Sequence, residues 1–388
     1  MVAKSDRSAD RAFAQVTLAT CIYFVGLALF FILPRRLVEL AADPRQVGLY
    51  MGLQGVAPLV VMPLVGTLAD RKGTRPILLG GFGLSTVVAA GYFGLTRLGP
   101  YLALLRLLGG AGFGGSFAAG SIFAARVAPP GKLAQRIGIF GAGTLLTHAI
   151  GPPLGEALVE RWGWNALYGV ATVLMGAGFA LVVSLRDPPL EPAAGDSGWR
   201  AVAASPGIWT PYLVSFVAAG AWGALFTFLP AWTAARGRHV SPFFTSYALS
   251  ALAVRVLVGD LADRVGRRRA AAPALLGYAA AVAATGFARG PAGLVAIGLF
   301  FGATHGVHYP ALAALALDRA PAAVRGRAMS LFNLAFTLGS MAGSFAYGAV
   351  AKRVGYPAMF AAAGAISLVA ALMLVTDRLL QSRRARVT

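Results

Sequence analysis

Apolar residues in this chain come in long runs of near-constant length. Nine stretches hold no Asp, Glu, Lys or Arg: 13–33, 46–69, 76–96, 165–185, 201–235, 270–288, 290–317, 328–351 and 354–376. Three more are apolar with a few embedded polar groups: 100–125 with Arg106, 137–159 with His148 and Glu156, and 240–262 with Arg255 and Asp260. About 20 such residues cross a bilayer as a helix, and in hydrocarbon a helix satisfies all of its own backbone groups within one segment. The pattern predicts an all-α membrane protein of twelve transmembrane helices.

Composition agrees with this reading. Of 388 residues, 57% are hydrophobic and 12% charged, against about 25% charged in a soluble domain. The net charge of +20 raises nucleic acid as a partner. The basic residues, however, form short clusters between spans and not one aqueous face, so no nucleic acid is expected and the lipid bilayer is the partner instead. A lone Cys21 can build neither a disulfide framework nor a multi-cysteine metal site. Met1 to Arg11 is polar, and the apolar run behind it is too long for a signal-peptide core, so it is expected to stay as the first helix. The tails and the loops near Asp70, Pro129, Pro188, Asp263 and Pro321 carry 22 of the 34 Lys and Arg, and the opposite loops 10. Positive residues stay inside, which predicts both termini in the cytoplasm of a multi-pass inner (plasma) membrane protein.

The chain also repeats once, at a period of about 193 residues. Gly66-Thr67-Leu68-Ala69-Asp70-Arg71-Lys72-Gly73-Thr74-Arg75 returns as Gly259-Asp260-Leu261-Ala262-Asp263-Arg264-Val265-Gly266-Arg267-Arg268, with seven of ten positions identical. Phe30 to Pro34 returns as Phe226 to Pro230, and Arg161 to Tyr168 as Arg353 to Phe360, in the same order. This predicts two pseudo-symmetric six-helix bundles, 1–186 and 207–388, joined by a Pro- and Gly-rich linker over 187–206. Parallel repeats of this kind are a transporter architecture. The substrate site is expected between the halves near mid-membrane, with rocking of one half against the other giving alternating access.

The Gly-x-Leu-Ala-Asp-Arg-x-Gly-x-Arg loop, present twice, resembles the signature loop of the major facilitator superfamily, and the resemblance covers essentially the whole chain. It implies the twelve-helix major facilitator fold and a conformational latch. Gly66 would permit close packing of helix 2. Asp70 would pair with positive groups or a helix terminus of the other half. Arg71 and Arg75 would hold the cytoplasmic face, with Gly259, Asp263 and Arg264 as the second copy; Arg255, on the same helical face as Gly259 and Asp263, is expected to support the latch, with substrate contact as its second reading. Leu105-Arg106 followed by Gly109, Gly110 and Gly112 resembles the family's helix-4 pattern, linked there to proton coupling or substrate charge. Gly138 and then Gly151-Pro152-Pro153-Leu154-Gly155 resemble the helix-5 motif of the drug and small-molecule antiporter branch, with Thr147 in place of its middle glycine and Glu156 in place of its last. That motif favours export.

The remaining embedded polar groups supply candidate chemistry. An arginine in lipid costs about 2.5–3.5 kcal/mol, so Arg106 is expected to face a cavity; snorkelling to the outer end is the other reading. His148 and His305 lie near the middles of their spans, with His308 one turn from His305. Either they carry protons or they bond neighbouring helices as neutral rings. Glu156, two turns from His148, is a second proton-carrier candidate, unless Arg161 pairs with it. Tyr23 and Trp222 are candidates for substrate contact alongside Arg106, His305 and His308, or for plain packing. No metal, cofactor or catalytic constellation is expected, so the chain does not read as an enzyme. The expected function is a monomeric, proton-coupled secondary transporter exporting small organic molecules. The alternative is a proton symporter importing a sugar, peptide or organic acid.

Overall fold

The computed structural model describes the backbone of residues 2–129, 133–187, 198–258, 261–321 and 324–387; within these, the side chains at 2–9, 70, 133–135, 137, 198–199, 263 and 378–387 are not described. Every regular element among the described residues is helical. The apolar runs become α1 (Val2–Ala28), which passes through a 3-10 turn at Leu29–Ile32 into α2 (Leu33–Glu39), then α3 (Pro44–Leu53), α4 (Val56–Lys72), α5 (Arg75–Gly91), α6 (Pro100–Arg126), α7 (Leu133–Trp162) and α8 (Trp164–Val183). After α9 (Gly198–Ala203) follow α10 (Trp209–Ala234), α11 (Ser241–Leu257), α12 (Leu261–Val265), α13 (Arg267–Thr285), α14 (Gly290–Arg319) and α15 (Arg325–Val387).

Punctuation follows the sequence. The second span is two helices, because the chain breaks at Gln54–Gly55 between α3 and α4. Spans eleven and twelve run together as α15, interrupted at Gly355, whose φ of +80° only glycine adopts cheaply. Asp43 and Gln46 cap α3 reciprocally: the Gln46 N–H donates to Asp43 Oδ1 at 2.9 Å and the Asp43 N–H to Gln46 Oε1 at 3.0 Å. Eight stretches of the described residues are long and apolar enough on their own to cross a membrane. Of the others, α11 is short at 17 residues and α13 opens on three arginines.

The helices form two compact units. One comprises residues 1–40 and 53–193, the other residues 41–52 and 194–388. In the first, α1 packs on α7 and α8, α6 on α4 and α5, and α5 on α8. In the second, α10 packs on α15, α14 on α11 and α13, and α13 on α15. The two arrangements correspond element for element along the sequence repeat. Two departures from the sequence reading stand out. Residues 41–52, from the second span, pack with the second unit: Gly48 lies against Gly348 and Ser344, and Gly52 against the Phe345 ring, approaches closed to any larger residue. And the linker contains a helical turn, α9, with Val202 buried.

In each unit the helices touch along small residues. Gly298, Gly302 and Gly306 form a row one turn apart on α14, laid against Phe243, Tyr247 and Ala251 of α11, so the two helices run parallel with their backbones close. Gly110 of α6 sits on the Gln54 carbonyl, and Gly114 on Pro58 of α4. Hydrocarbon offers no hydrophobic drive for helix association, so this close contact supplies the cohesion.

The Lys352 ammonium, 2.7 Å from Asp43, and the Gln46 N–H hold the Asp43 carboxyl below its ordinary value. A depressed folded value means stability that is present above the unfolded carboxylate range and lost as pH falls through the folded value. Thermal unfolding of the purified protein should therefore show an acid-dependent loss, below about pH 4, that Asp43→Asn removes. Because the pair is largely exposed, the loss should be about 0.5 kcal/mol.

Candidate functional site

The second unit holds a continuous aromatic cluster built from α10, α11, α13, α14 and α15. Trp222 stacks on Phe226 with ring centroids 3.8 Å apart and lies 4.6 Å from His305. His305 is 5.5 Å from Tyr309, and Phe336 bridges Trp222 at 5.8 Å and Tyr309 at 5.3 Å. Behind them Tyr247, Phe301, Tyr278 and His308 are buried. Trp222, Phe226, Tyr309, Asn333 and Phe336 are half-buried, so they form the accessible wall. The Tyr309 hydroxyl donates to Asn333 Oδ1 at 3.2 Å. Periodicity explains the grouping: Phe301, His305 and Tyr309 are four residues apart, and Trp222 and Phe226 likewise, so each set occupies one helical face.

Trp222 and His305, both expected at the substrate site, thus come together. His308 belongs to the buried layer: its Nδ1 is 3.0 Å from the Thr304 carbonyl and its ring meets Tyr278 edge-on at 4.7 Å. Arg255, expected to support the latch, is half-buried on α11. Its charge acts on Tyr247, Tyr309 and His308, and its Nε is buried with no hydrogen-bond acceptor among the described residues.

The first unit gives a different result for its candidates. Tyr23 is 0% exposed, stacks on Phe82 at 4.2 Å and shares a 2.7 Å hydrogen bond with Ser85. It is a core residue, not the substrate contact expected. Arg106 is 5% exposed, which rejects snorkelling. It lines a cavity of about 20 Å³ with Gln54, Ser85 and Tyr92. That is room for one water and far less than the several hundred cubic ångströms of an organic-ligand pocket, so within this unit Arg106 faces a mostly apolar cavity too small for a substrate. His148 lies 4.8 Å from the Phe31 ring, with its Nδ1 3.2 Å from the Thr144 carbonyl. Glu156 is buried at 4% exposure. Arg161, the partner considered for it, lies instead over the Trp162 ring. The helix-5 glycines divide. Gly151 lies on Ala28 and a Cβ added at Gly155 would come within 3.3 Å of the Leu29 carbonyl, so α7 is pressed onto the end of α1 and the turn after it, while Gly138 has open space around it.

Of the latch residues, Gly259 and the side chains of Asp70 and Asp263 lie outside the described residues. A Cβ at Gly66 would meet nothing within 4 Å, so the close packing expected there is not present. Arg71 and Arg264 are exposed. Arg75 ties the loop to its own unit: its guanidinium donates to the Val183 carbonyl at 2.6 Å, and its N–H, with the Thr74 N–H and hydroxyl, donates to Asp187. The second unit repeats the device. Arg268, the counterpart of Arg75, and Arg319 both lie 2.6 Å from Asp377, and Thr210 donates to the same carboxylate at 2.9 Å. Sequence reasoning passed over both carboxylates, although each is the first acid after the sixth and the twelfth span. It also passed over Tyr309, Asn333 and Phe336; the four-residue spacing from His305 to Tyr309 was the available signal.

Comparison with known proteins follows the same lines. A family model described as Major Facilitator Superfamily matches residues 16–254 and 237–386. Over 344 residues the chain is 27% identical to the MFS-type transporter YhhS of Escherichia coli (strain K12), covering 86% of this chain and 83% of that one. It is 23% identical over 338 residues to the multi-drug resistance efflux pump PmrA of Streptococcus pneumoniae serotype 4, covering 83% and 84%. Among solved structures, a variant of the nucleoside transporter NupG has a TM-score of 0.80 at 14% identity, covering 94% of this chain and 99% of that one; at that identity the likeness concerns the fold.

Asp377 is nearly buried and answers two guanidinium groups and a hydroxyl. Removing one partner of such a set leaves uncompensated charge, at a cost of roughly 3 kcal/mol. Asp377→Ala should lower the thermal unfolding midpoint of the purified protein by several degrees; an unchanged midpoint would show that the carboxylate anchors nothing.

Proposed function

The chain belongs to the major facilitator superfamily of membrane transporters, and on that premise we propose that it is a proton-coupled exporter of small organic molecules. It would act as a monomer by alternating access, in the inner membrane with both termini cytoplasmic. The observation that carries export is the seam between α7 and α1, where Gly151 on Ala28 and Gly155 on the Leu29 carbonyl occupy the positions of the antiporter-like motif. Close approach of small residues fixes that helix pair, and Pro152 and Pro153 lie inside α7 beside it. The printed name of PmrA, an efflux pump, supports the same direction.

Substrate contact belongs to the wall of Trp222, Phe226, Tyr309, Asn333 and Phe336, backed by the buried His305 ring, which offers ring faces and a polar edge. Proton coupling belongs to groups in the spans able to change charge: Glu156, His148 and His305. Arg106, enclosed in α6, takes a supporting part in the coupling beside these carriers. Protonation from the outer side releases substrate and favours the inward return, and deprotonation inside completes the exchange. The latch residues Asp70, Arg71, Asp263 and Arg264 bias one access state by ion pairs present in it and broken in the other.

Two measurements test this reading. In everted vesicles with an acid interior, the exporter accumulates substrate inside; a proton symporter would instead move it out with the protons. Glu156→Gln should abolish accumulation driven by a pH gradient and leave gradient-free substrate exchange intact. Loss of both, with normal protein yield, would remove Glu156 from the coupling step.

A further inference from the structure

The second unit carries a cation that has no counter-ion among the described residues, beside an aromatic wall. Its described carboxylates are all engaged elsewhere: Asp43 with Lys352 at 2.7 Å, Asp318 with Arg267 at 3.3 Å, and Asp377 with Arg268 and Arg319 at 2.6 Å. Arg255 forms no ion pair with any of them, and its buried Nε finds no acceptor among the described residues. A charged group placed inside a span without an acceptor is costly, and its presence marks a functional demand.

The packing fixes where that charge acts. α11 and α14 run parallel, and a Cβ added at Gly306 would come within 3.0 Å of the Ala251 carbonyl and 3.4 Å of Val254. The register that seats Val254 on Gly306 brings the next residue, Arg255, to the turn of α14 that holds His308 and Tyr309. Its field is felt at the Tyr309 and Tyr247 hydroxyls and at the His308 ring. From there the accessible wall runs through Tyr309 and Phe336 to Trp222, in ring-to-ring steps of 5.3 Å and 5.8 Å. Asn333, held by the Tyr309 hydroxyl at 3.2 Å, adds amide donors to the polar end.

We propose that this wall is a receptor for aromatic carboxylates, with the carboxylate paired to Arg255 and the ring laid against Phe336 and Trp222. The guanidinium fork matches a carboxylate in two parallel hydrogen bonds, and aromatic faces accept a planar ring in offset or edge-on contact. An organic amine meets the reverse situation: a positive group and no described carboxylate left to neutralise it. The inference deepens the transport reading by naming its substrate class, but it is tested by binding alone.

The probes are 2-naphthoate, 2-naphthylmethylamine and cyclohexanecarboxylate, titrated calorimetrically into the purified full chain in detergent. Naphthoate should bind more tightly than both others. Arg255→Gln should weaken naphthoate at least ten-fold, as loss of a charge-assisted pair requires, and Arg255→Lys should weaken it less. Trp222→Ala should weaken naphthoate several-fold more than it weakens cyclohexanecarboxylate. Unfolding midpoints of the variants identify any that fail to fold, and Arg255→Lys serves if the glutamine variant does. Equal or tighter binding of the amine, or naphthoate affinity indifferent to Arg255, overturns the proposal. Naphthoate binding through Arg255 in a protein that moves no solute in vesicles would uphold the receptor and overturn the transport reading. Vesicle transport of amines alone, unaffected at Arg255, would do the opposite.

Discussion

Hydrocarbon neither hydrates a polar group nor rewards two apolar helices for meeting, and everything in this molecule answers to that. Cohesion has to come from short-range contact, so small residues decide which helices touch. Gly298, Gly302 and Gly306 bring α14 onto the backbone of α11, Gly110 and Gly114 bring α6 onto the second span, and Gly151 and Gly155 bring α7 onto α1. A methyl group at most of these points would push two backbones apart, and with them the side chains that the helices present.

The same solvent sets the rules for charge. Ionic groups are gathered into the ends of each unit, where they tie helix to helix: Asp187 to the start of α5, Asp377 to α10, α13 and α14, and Glu39 to Arg35, Arg36 and the Trp164 indole. The anchors of the two units are related by the repeat, so one solution to closing the end of a six-helix bundle is used twice. Inside the spans only a few charged side chains remain. Arg106 is enclosed with Gln54, Ser85 and Tyr92 around a water-sized space, and Arg255 stands at the edge of an aromatic wall. The first is a finished structural arrangement; the second has a buried Nε that meets no acceptor among the described residues.

Much of the fold was legible before any coordinates. The runs of 20 or so apolar residues, the duplicated Gly-x-Leu-Ala-Asp-Arg loop and the Gly–Pro segment of the fifth span each reflect a local demand, of bilayer thickness, of gene-level repetition or of helix contact, and local demands are written in consecutive residues. The sites were legible only in part. Trp222 and His305 could be singled out as unusual residues in mid-span. Nothing in the order of residues said that Tyr23 would turn inward onto Phe82 while Trp222 kept one face accessible, or that Gly66 would stand in open space.

What the sequence alone determined, then, is the solvent, the number and type of spans and their twofold repetition, because hydropathy and helix length act residue by residue. Tertiary structure decided which polar groups meet: Arg75 with the Val183 carbonyl, Arg268 with Asp377, Arg255 with no carboxylate among the described residues. It also decided that residues 41–52 pack with the second unit. Those outcomes depend on helix rotation and register. Both are set by the contacts of glycine rows between segments far apart in the chain, and no local pattern records them.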